Sequence, residues 1–258
     1  MKITALTENT AKNSCFEYEH GLSLYIETDN HKILFDTGQT DIFLHNAEKL
    51  AIDLSQIDIA VISHGHYDHT GGLSAFLEIN KTAPVYLSRH AFKPYYNGNE
   101  KYIGMDTSLK ENPRLIFTGD CTEITDGLSL HSCNQAEKQF ELGSFGLNIK
   151  VGESFQPDDF RHEQYLLIEE NGKKVLISGC SHKGVLNIVK WFEPDVLIGG
   201  FHFSKLPLDE TLKKYALYLD SFPTLYYTCH CTGKEQYEFM KKHMNRLHYL
   251  STGKTIEA

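Results

Sequence analysis

The chain has no apolar run near the roughly 20 residues that a membrane span requires. Its first residues, MKITALTENTAKNS, carry neither an apolar core nor a cleavage pattern of the kind a secretory leader shows. Basic residues are outnumbered, 25 Lys and Arg against 34 Asp and Glu, for a formal charge of −9. A nucleic-acid surface would usually reverse that balance. Six cysteines fall without the rhythm of a secreted disulfide framework, so they are expected to be reduced and the protein cytoplasmic. There is no GxxxxGK[ST] phosphate loop, no GxGxxG after a strand and no GxSxG elbow. Linkers, low-complexity tracts and short internal repeats are absent too. These gaps leave a globular protein with a small-molecule substrate, no nucleic acid and no membrane, and an oligomeric state the sequence does not fix. With 258 residues the chain can bury a large core unaided and is expected to form a single domain over residues 1–258.

What is present in excess is histidine, fourteen in all. The richest cluster is His64-Gly65-His66-Tyr67-Asp68-His69, which follows the β-branched apolar run Ile57–Ser63, expected to be a buried strand. Imidazole and carboxylate at this density suit zinc, and also iron or manganese. A turn at the strand end would aim His64 and His66 at one cation and Asp68 and His69 at a second. Two cations about 3.5–4 Å apart can activate water or polarise an oxygen of a substrate. Asp68 is the residue expected to orient or deprotonate that water while remaining a ligand. A lone HxH pair is commonly a chance surface pair, but HxHxDH at a strand end with Gly71-Gly72 beyond it is far more specific.

Elsewhere, short strands are expected at Lys2–Thr7, Leu22–Glu27, Lys32–Phe35, Pro84–Leu87, Leu115–Phe117, Glu123–Thr125 and Leu128–His131. Glu163–Glu169 and Lys173–Ser178 flank Asn171-Gly172, a strong hairpin signal, and Val196–Ile198 and Thr224–Thr228 complete the strands. Helical spacing marks Asp41–Leu50, Gly72–Ile79, Asp209–Leu219 and Lys234–Met244. The segment 92–112 shows no clean period and is expected to be an irregular insertion near the site; Phe140–Asp159 is expected to be loop. Tyr95, Tyr96 and Tyr102 in that middle region would be able to stack on a flat ring, although aromatic surface on an ordinary loop is the blander reading. On the strand ending LYYTCHC, alternation sets Tyr226, Thr228 and His230 on one face and Tyr227, Cys229 and Cys231 on the other. Cys229 and Cys231 are therefore expected to stay away from a cation held by His230, against the rival reading of a CxHxC clip.

SHGHYDHTGG, with LFDTG upstream, resembles the metal-binding motif of the metallo-β-lactamase superfamily. EHGLSLYIE, LFDTGQT, NAEKLAIDLSQID, HEQYLLIE, LISGCSHKGVLNIV, IGGFHF and YTCHCTG extend the resemblance to one branch. That branch is the 7,8-dihydropterin-6-yl-methyl-4-(β-D-ribofuranosyl)aminobenzene 5′-phosphate synthase subfamily, a dihydropteroate-synthase-like group. The motifs run from residue 9 to residue 233, and only the stretch of about 85–155 carries none. The resemblance implies an α/β fold, a four-layer αββα sandwich of two mixed β-sheets, with two divalent cations at one edge. It makes His162, 18 residues before Cys180, the third ligand of the first cation. Cys180 stands where most relatives carry a bridging aspartate; it is either a soft thiolate ligand or an inert buried thiol, and in the second case His182 would swing in. His230 matches the last histidine ligand, Asp36 is expected to orient a ligand imidazole, and His202 is expected to touch substrate or act as general acid, or else to be a satisfied core histidine. Glu19 and His20 fit the pattern without an assigned role. Hydrolysis of a phosphate ester or ester-like bond is the chemistry such a site supports most directly. A transferase joining an arylamine to a pterin diphosphate, and a metal-bearing binding protein without turnover, remain open beside it; an iron redox role is disfavoured by the missing acidic bridge at residue 180.

Overall fold

A computed structural model describes residues 1–258. Two seven-stranded mixed sheets face each other. In spatial order the first contains Thr255–Glu257, Lys2–Thr7, Ser23–Glu27, Lys32–Phe35, Ile59–Val61, Val85–Ser88 and Leu115–Thr118. The second contains Leu247–Tyr249, Leu225–Thr228, Val196–Gly199, Lys173–Ile177, Tyr165–Glu170, Leu128–His131 and Cys121–Thr125. Between them lies a core that includes Ile3, Leu24, Ile33, Val61, Leu166, Ile177 and Ile198, every one fully or almost fully buried. Alternation explains this core, because the opposite faces of the same strands supply Leu34, Ala60 and Val85 to the helices outside. Helices Ile42–Lys49 and Leu73–Ile79 cover the first sheet, and Val185–Phe192, Glu210–Asp220 and Lys234–Lys241 cover the second. The four-layer αββα sandwich is as expected. No helix is long and apolar enough to cross a membrane.

The segment 92–112 is irregular only in part. Tyr95–Asn97 and Lys101–Tyr102 form a hairpin that joins a second hairpin, Leu147–Val151 with Ser154–Pro157, in a separate four-stranded sheet. Each strand is short and mostly solvated on one side, so neither a period nor an apolar run marks it in sequence. The Phe140–Asp159 stretch, expected to be loop, supplies half of that sheet. Helix Val185–Phe192 also went unmarked, since VLNIVKWF is apolar on nearly every side and reads equally as a buried strand. The Asn171-Gly172 turn does adopt the paired positive φ values, 53° and 75°, of a tight hairpin.

In both sheets the central strands run parallel: Lys32–Phe35, Ile59–Val61 and Val85–Ser88 in one, Lys173–Ile177, Val196–Gly199 and Leu225–Thr228 in the other. Parallel strands release their C-terminal ends along a common edge, the place where α/β sheets generally bind ligands. The chain leaves those ends directly into Asp36, Ser63-His64, Cys180, His202 and His230.

Candidate metal centre

The loops past the strand ends gather histidines that lie far apart in sequence. His64, His66, Asp68, His69, Cys180, His182 and His230 are all buried. His64 Nε2 lies 3.3 Å from His182 Nε2, and His66 joins them within one ligand sphere. Beside them His69 Nε2 lies 3.2 Å from His230 Nε2 and 3.2 Å from Cys180 Sγ. Asp68 Oδ2 closes this second group at 3.4 Å from His230 Nε2 and 3.8 Å from His69 Nε2.

The outer partners fix which nitrogen faces inward. Asp36 Oδ2 sits 2.6 Å from His69 Nδ1 and also accepts the Ser63 hydroxyl at 2.7 Å. Ser63 in turn contacts His64 Nδ1 at 2.8 Å, and Asn9 Oδ1 contacts His230 Nδ1 at 2.7 Å. Each leaves its imidazole presenting Nε2 to the centre. Backbone strain aims several of these groups: Asp36, Ser181, His202 and His230 all have φ between 47° and 58°, a region few side chains favour. Glycines clear the space. A Cβ on Gly65 would overlap the Ala91 carbonyl, and one on Gly179 would overlap Ser63 and crowd His64.

His162 is buried at the same edge but points elsewhere. Its Nδ1 accepts the Gly65 N–H at 2.8 Å, so Nε2 carries the proton and donates to Asp158 at 3.0 Å. No lone pair is left for a cation, and Tyr95 stacks on its ring at 3.9 Å. It is His182 that the structure brings against His64 and His66, with its N–H held by buried Glu163 at 2.6 Å. Cys180 and His182 are not alternatives, since the turn brings both inward. The expectation for Cys231 is overturned in part. The strand stops at Thr228 and residues His230–Thr232 form a 3-10 turn, which breaks the alternation. Cys229 does stay in the intersheet core, but Cys231 swings beside Cys180 and His202. His202 is half-buried with its Nδ1 unpartnered, its ring 4.3 Å from that of His182. Tyr95 is occupied by His162, while Tyr102 donates to the Met105 carbonyl and packs on Tyr96.

Several contributors carried no sequence signal. Asn9 and Glu8, from the first strand's end, hold His230 by its Nδ1 and its N–H. Glu19 and His20 gain roles: Glu19 accepts from the Gln39 and Thr40 N–H groups and tightens the Asp36 loop, and His20 Nε2 lies 3.2 Å from Asp68.

Burial holds His64 and His182 well below the ordinary imidazole value, and lowers His66 to about 4 despite Asp158 nearby. Burial also opposes charge on His69, yet Asp36 and Asp68 carry it up to about 9. Asp68 is held well below its usual range, because the charge of His69 and hydrogen bonds from His20 and His230 outweigh its burial. Burial pushes the Cys180 thiol up.

These residues fit cations. Each of the pairs His64–His182 and His69–His230 sets two nitrogens within 3.3 Å, where at most one proton can lie between them, and buried His66 Nε2 has no hydrogen-bond partner at all. A mouth of about 150 Å³ opens over the centre, walled by Tyr67, Ile103 and Leu147, with Lys101 and Lys205 at its rim.

The Metallo-beta-lactamase superfamily model matches residues 18–221, which takes in the whole His64–His69 loop. The chain belongs to the metallo-β-lactamase superfamily. Among members with solved structures, it is similar to Tm1679, described as a metal-dependent hydrolase of the β-lactamase superfamily. The two share 31% identity, with 100% of this chain and 99% of the other covered, at a TM-score of 0.86. It is 32% identical to an uncharacterised protein of Methanocaldococcus jannaschii over 98% of this chain and 99% of that one. From the same organism, 7,8-dihydropterin-6-methyl-4-(β-D-ribofuranosyl)-aminobenzene-5′-phosphate synthase is 29% identical, over 100% of this chain and 96% of that one. Zinc-bound PqqB from Methylobacterium extorquens shares the superfamily fold at a TM-score of 0.60 and 11% identity.

Proposed function

We propose that this superfamily member is a two-cation hydrolase, with zinc as the metal, acting on a phosphate-bearing or ester-like small molecule. His64, His66 and His182 would hold one cation, and Asp68, His69, Cys180 and His230 the other. The observation that carries the reading is the convergence of buried lone pairs, with the two nitrogen pairs at 3.2 and 3.3 Å and His66 Nε2 unpartnered. A donor set of imidazole, carboxylate and thiolate suits zinc before harder ions. When bound, such a pair supplies Lewis-acid polarisation and a nucleophile drawn from water near neutral pH.

The chain's own groups do the rest. Asp68, kept ionised by His69, His20 and His230, is available to orient the attacking water. Asp36, Ser63 and Asn9 hold the imidazoles in one tautomer, so little reorganisation is needed during reaction. The Lys101 and Lys205 ammonium groups at the mouth favour an anion in a protein that is otherwise acidic. The narrow mouth admits the reacting group and its immediate neighbours, with the remainder of a substrate outside it.

A second reading, transfer of an arylamine onto a pterin diphosphate, is favoured by the full-length similarity to the synthase. The two are separated by one screen. Purified protein is analysed for metal, and phosphodiesters, lactones and a pterin diphosphate are each supplied with and without an arylamine. Hydrolysis without the amine supports the first reading; turnover only with it supports the second. His66→Ala is expected to lose both metal and turnover, and full activity in that variant would overturn the two-cation assignment.

A further inference from the structure

The proposed two-cation centre leaves three chemically potent side chains only partly used. Cys180 Sγ, Cys231 Sγ and a His202 ring nitrogen lie within 4.8 Å of one another. Both cysteines are buried, at 3% and 6% exposure, and His202 Nδ1 is a buried nitrogen with no hydrogen-bond partner. For Cys231 Sγ the one hydrogen bond is a long contact of 3.5 Å to the Cys180 carbonyl, so the sulfur's lone pairs are otherwise free.

The backbone is shaped to deliver this triad. His202 sits at φ 55° and His230, which precedes Cys231, at φ 47°. Gly200 clears a place for the thiol, since a Cβ there would overlap Cys231 Sγ. Strain at two loops and a glycine at a third point cost stability, and a buried thiol of purely packing function would need neither.

From this we infer a third, soft-cation position formed by Cys180, Cys231 and His202, which shares the Cys180 sulfur with the proposed two-cation centre. Two sulfurs and one imidazole leave a fourth place open, the arrangement of a zinc site that accepts an exogenous ligand. Thiolate and imidazole donors select Zn²⁺, Cd²⁺ or Co²⁺ over Mg²⁺ or Ca²⁺. Both sulfurs bind as thiolates, so loading releases protons. His202 is thereby a ligand rather than a general acid.

The inference rests on the two-cation reading only for the sharing of Cys180, and its test distinguishes the two failures. Full-length protein prepared with reductant is titrated with Co²⁺ while the near-ultraviolet sulfur-to-cobalt charge-transfer band is followed, and zinc-loaded protein is assayed for metal content. Wild type is expected to bind three ions per chain. Cys231→Ser should lose one ion and about two thirds of the band, two of the three sulfur–cobalt bonds, and His202→Ala should lose one ion while leaving turnover of any substrate to be measured separately. Cys229→Ser, a core thiol away from the centre, should change neither. Should Cys231→Ser fold poorly, the cadmium NMR spectrum of wild type gives the same answer through a resonance from a site with two sulfur donors. The inference is overturned if Cys231→Ser keeps the full band and metal count, or if the reduced wild-type protein binds two ions with a single sulfur donor. A Cys180–Cys231 disulfide persisting in the reduced preparation would overturn it as well. A wild-type protein that binds a single ion with the two-sulfur cobalt band, both unchanged in His66→Ala, would instead sink the two-cation centre and leave the soft site standing.

Discussion

Asp36 shows how much of this site is set by residues that touch no cation. One carboxylate holds the His69 ring at 2.6 Å, the Ser63 hydroxyl at 2.7 Å and the Ser63 N–H at 2.6 Å, and through Ser63 it reaches His64. Asp36→Asn preserves volume, and Asn tolerates the left-handed backbone found there. It removes the charge that steadies His69. Metal retention is expected to fall about 10- to 100-fold, measured by competition with a chelating dye; an unchanged affinity would mean that Asp36 serves only the turn. A second expectation concerns the chelated, metal-free chain. An unfolded imidazole takes up a proton near pH 6.5, whereas burial holds folded His66 to about 4 and keeps His64 and His182 low as well. In that interval the unfolded state binds more protons, so stability falls as pH drops from about 6.5 toward 4. His69 works in the opposite sense, its contribution being present below about 6.5 and lost as pH rises through about 9. Urea midpoints at several pH values should therefore decline on both sides of neutrality, more steeply on the acid side, and a flat acid limb would count against the burial of those rings. The ligand loop itself was legible in sequence because HxHxDH is contiguous. His182 was reached only as the alternative to Cys180 and Cys231 not at all, because their inward turn depends on how a strand ends, and spacing along the chain carries no record of that.

At the scale of elements, most strands of both sheets announced themselves through β-branched runs and alternation, the short edge strands Leu247–Tyr249 and Thr255–Glu257 excepted, and the Asn171-Gly172 hairpin through its turn chemistry. Helix Val185–Phe192 and the small third sheet did not. The helix is buried almost all round, and the hairpins of the third sheet gain their order from packing against the metal loop more than from local propensity. Tyr95 is the joint. Its ring lies on His162 at 3.9 Å, and its hydroxyl donates to the His90 carbonyl at 2.7 Å. His162 in turn accepts the Gly65 N–H, inside the ligand loop. Tyr95→Phe is expected to cost about 1 kcal/mol for the lost hydrogen bond, with metal content unchanged. Tyr95→Ala opens a cavity costing about 3–5 kcal/mol and frees the His162 ring, so metal affinity should drop along with the urea midpoint. If the alanine variant were destabilised yet bound metal as wild type does, the third sheet would be a cover over the site rather than part of its support.

Over the whole molecule, the site is held by both ends of the chain. The strand Lys2–Thr7 pairs with Thr255–Glu257 on one side and with Ser23–Glu27 on the other. Directly beyond it, the Glu8 N–H donates to Thr252 Oγ1 at 2.8 Å, and the Thr252 N–H donates to the Thr10 carbonyl at 3.0 Å. Residues 8–10 are pinned in this way, and from there Glu8 holds the His230 N–H while Asn9 holds its ring. Ten residues at the front, eight at the back and a histidine more than 200 positions from the first thus act as one support, which no local reading of the sequence reveals. Deleting residues 251–258 removes no ligand. It strips the Thr252 pin and the edge strand, leaving Glu8, buried and raised in pKa chiefly by that burial, without the neighbour that fixes its backbone. The truncated chain is expected to fold with a lowered urea midpoint and to release its most weakly held cation, with His230 as the ligand lost. Metal analysis after dialysis, beside circular dichroism, would check this. A truncated protein with native metal content would show that His230 is positioned by its own 3-10 turn alone, and that the pairing of the chain ends serves the sandwich without reaching the centre.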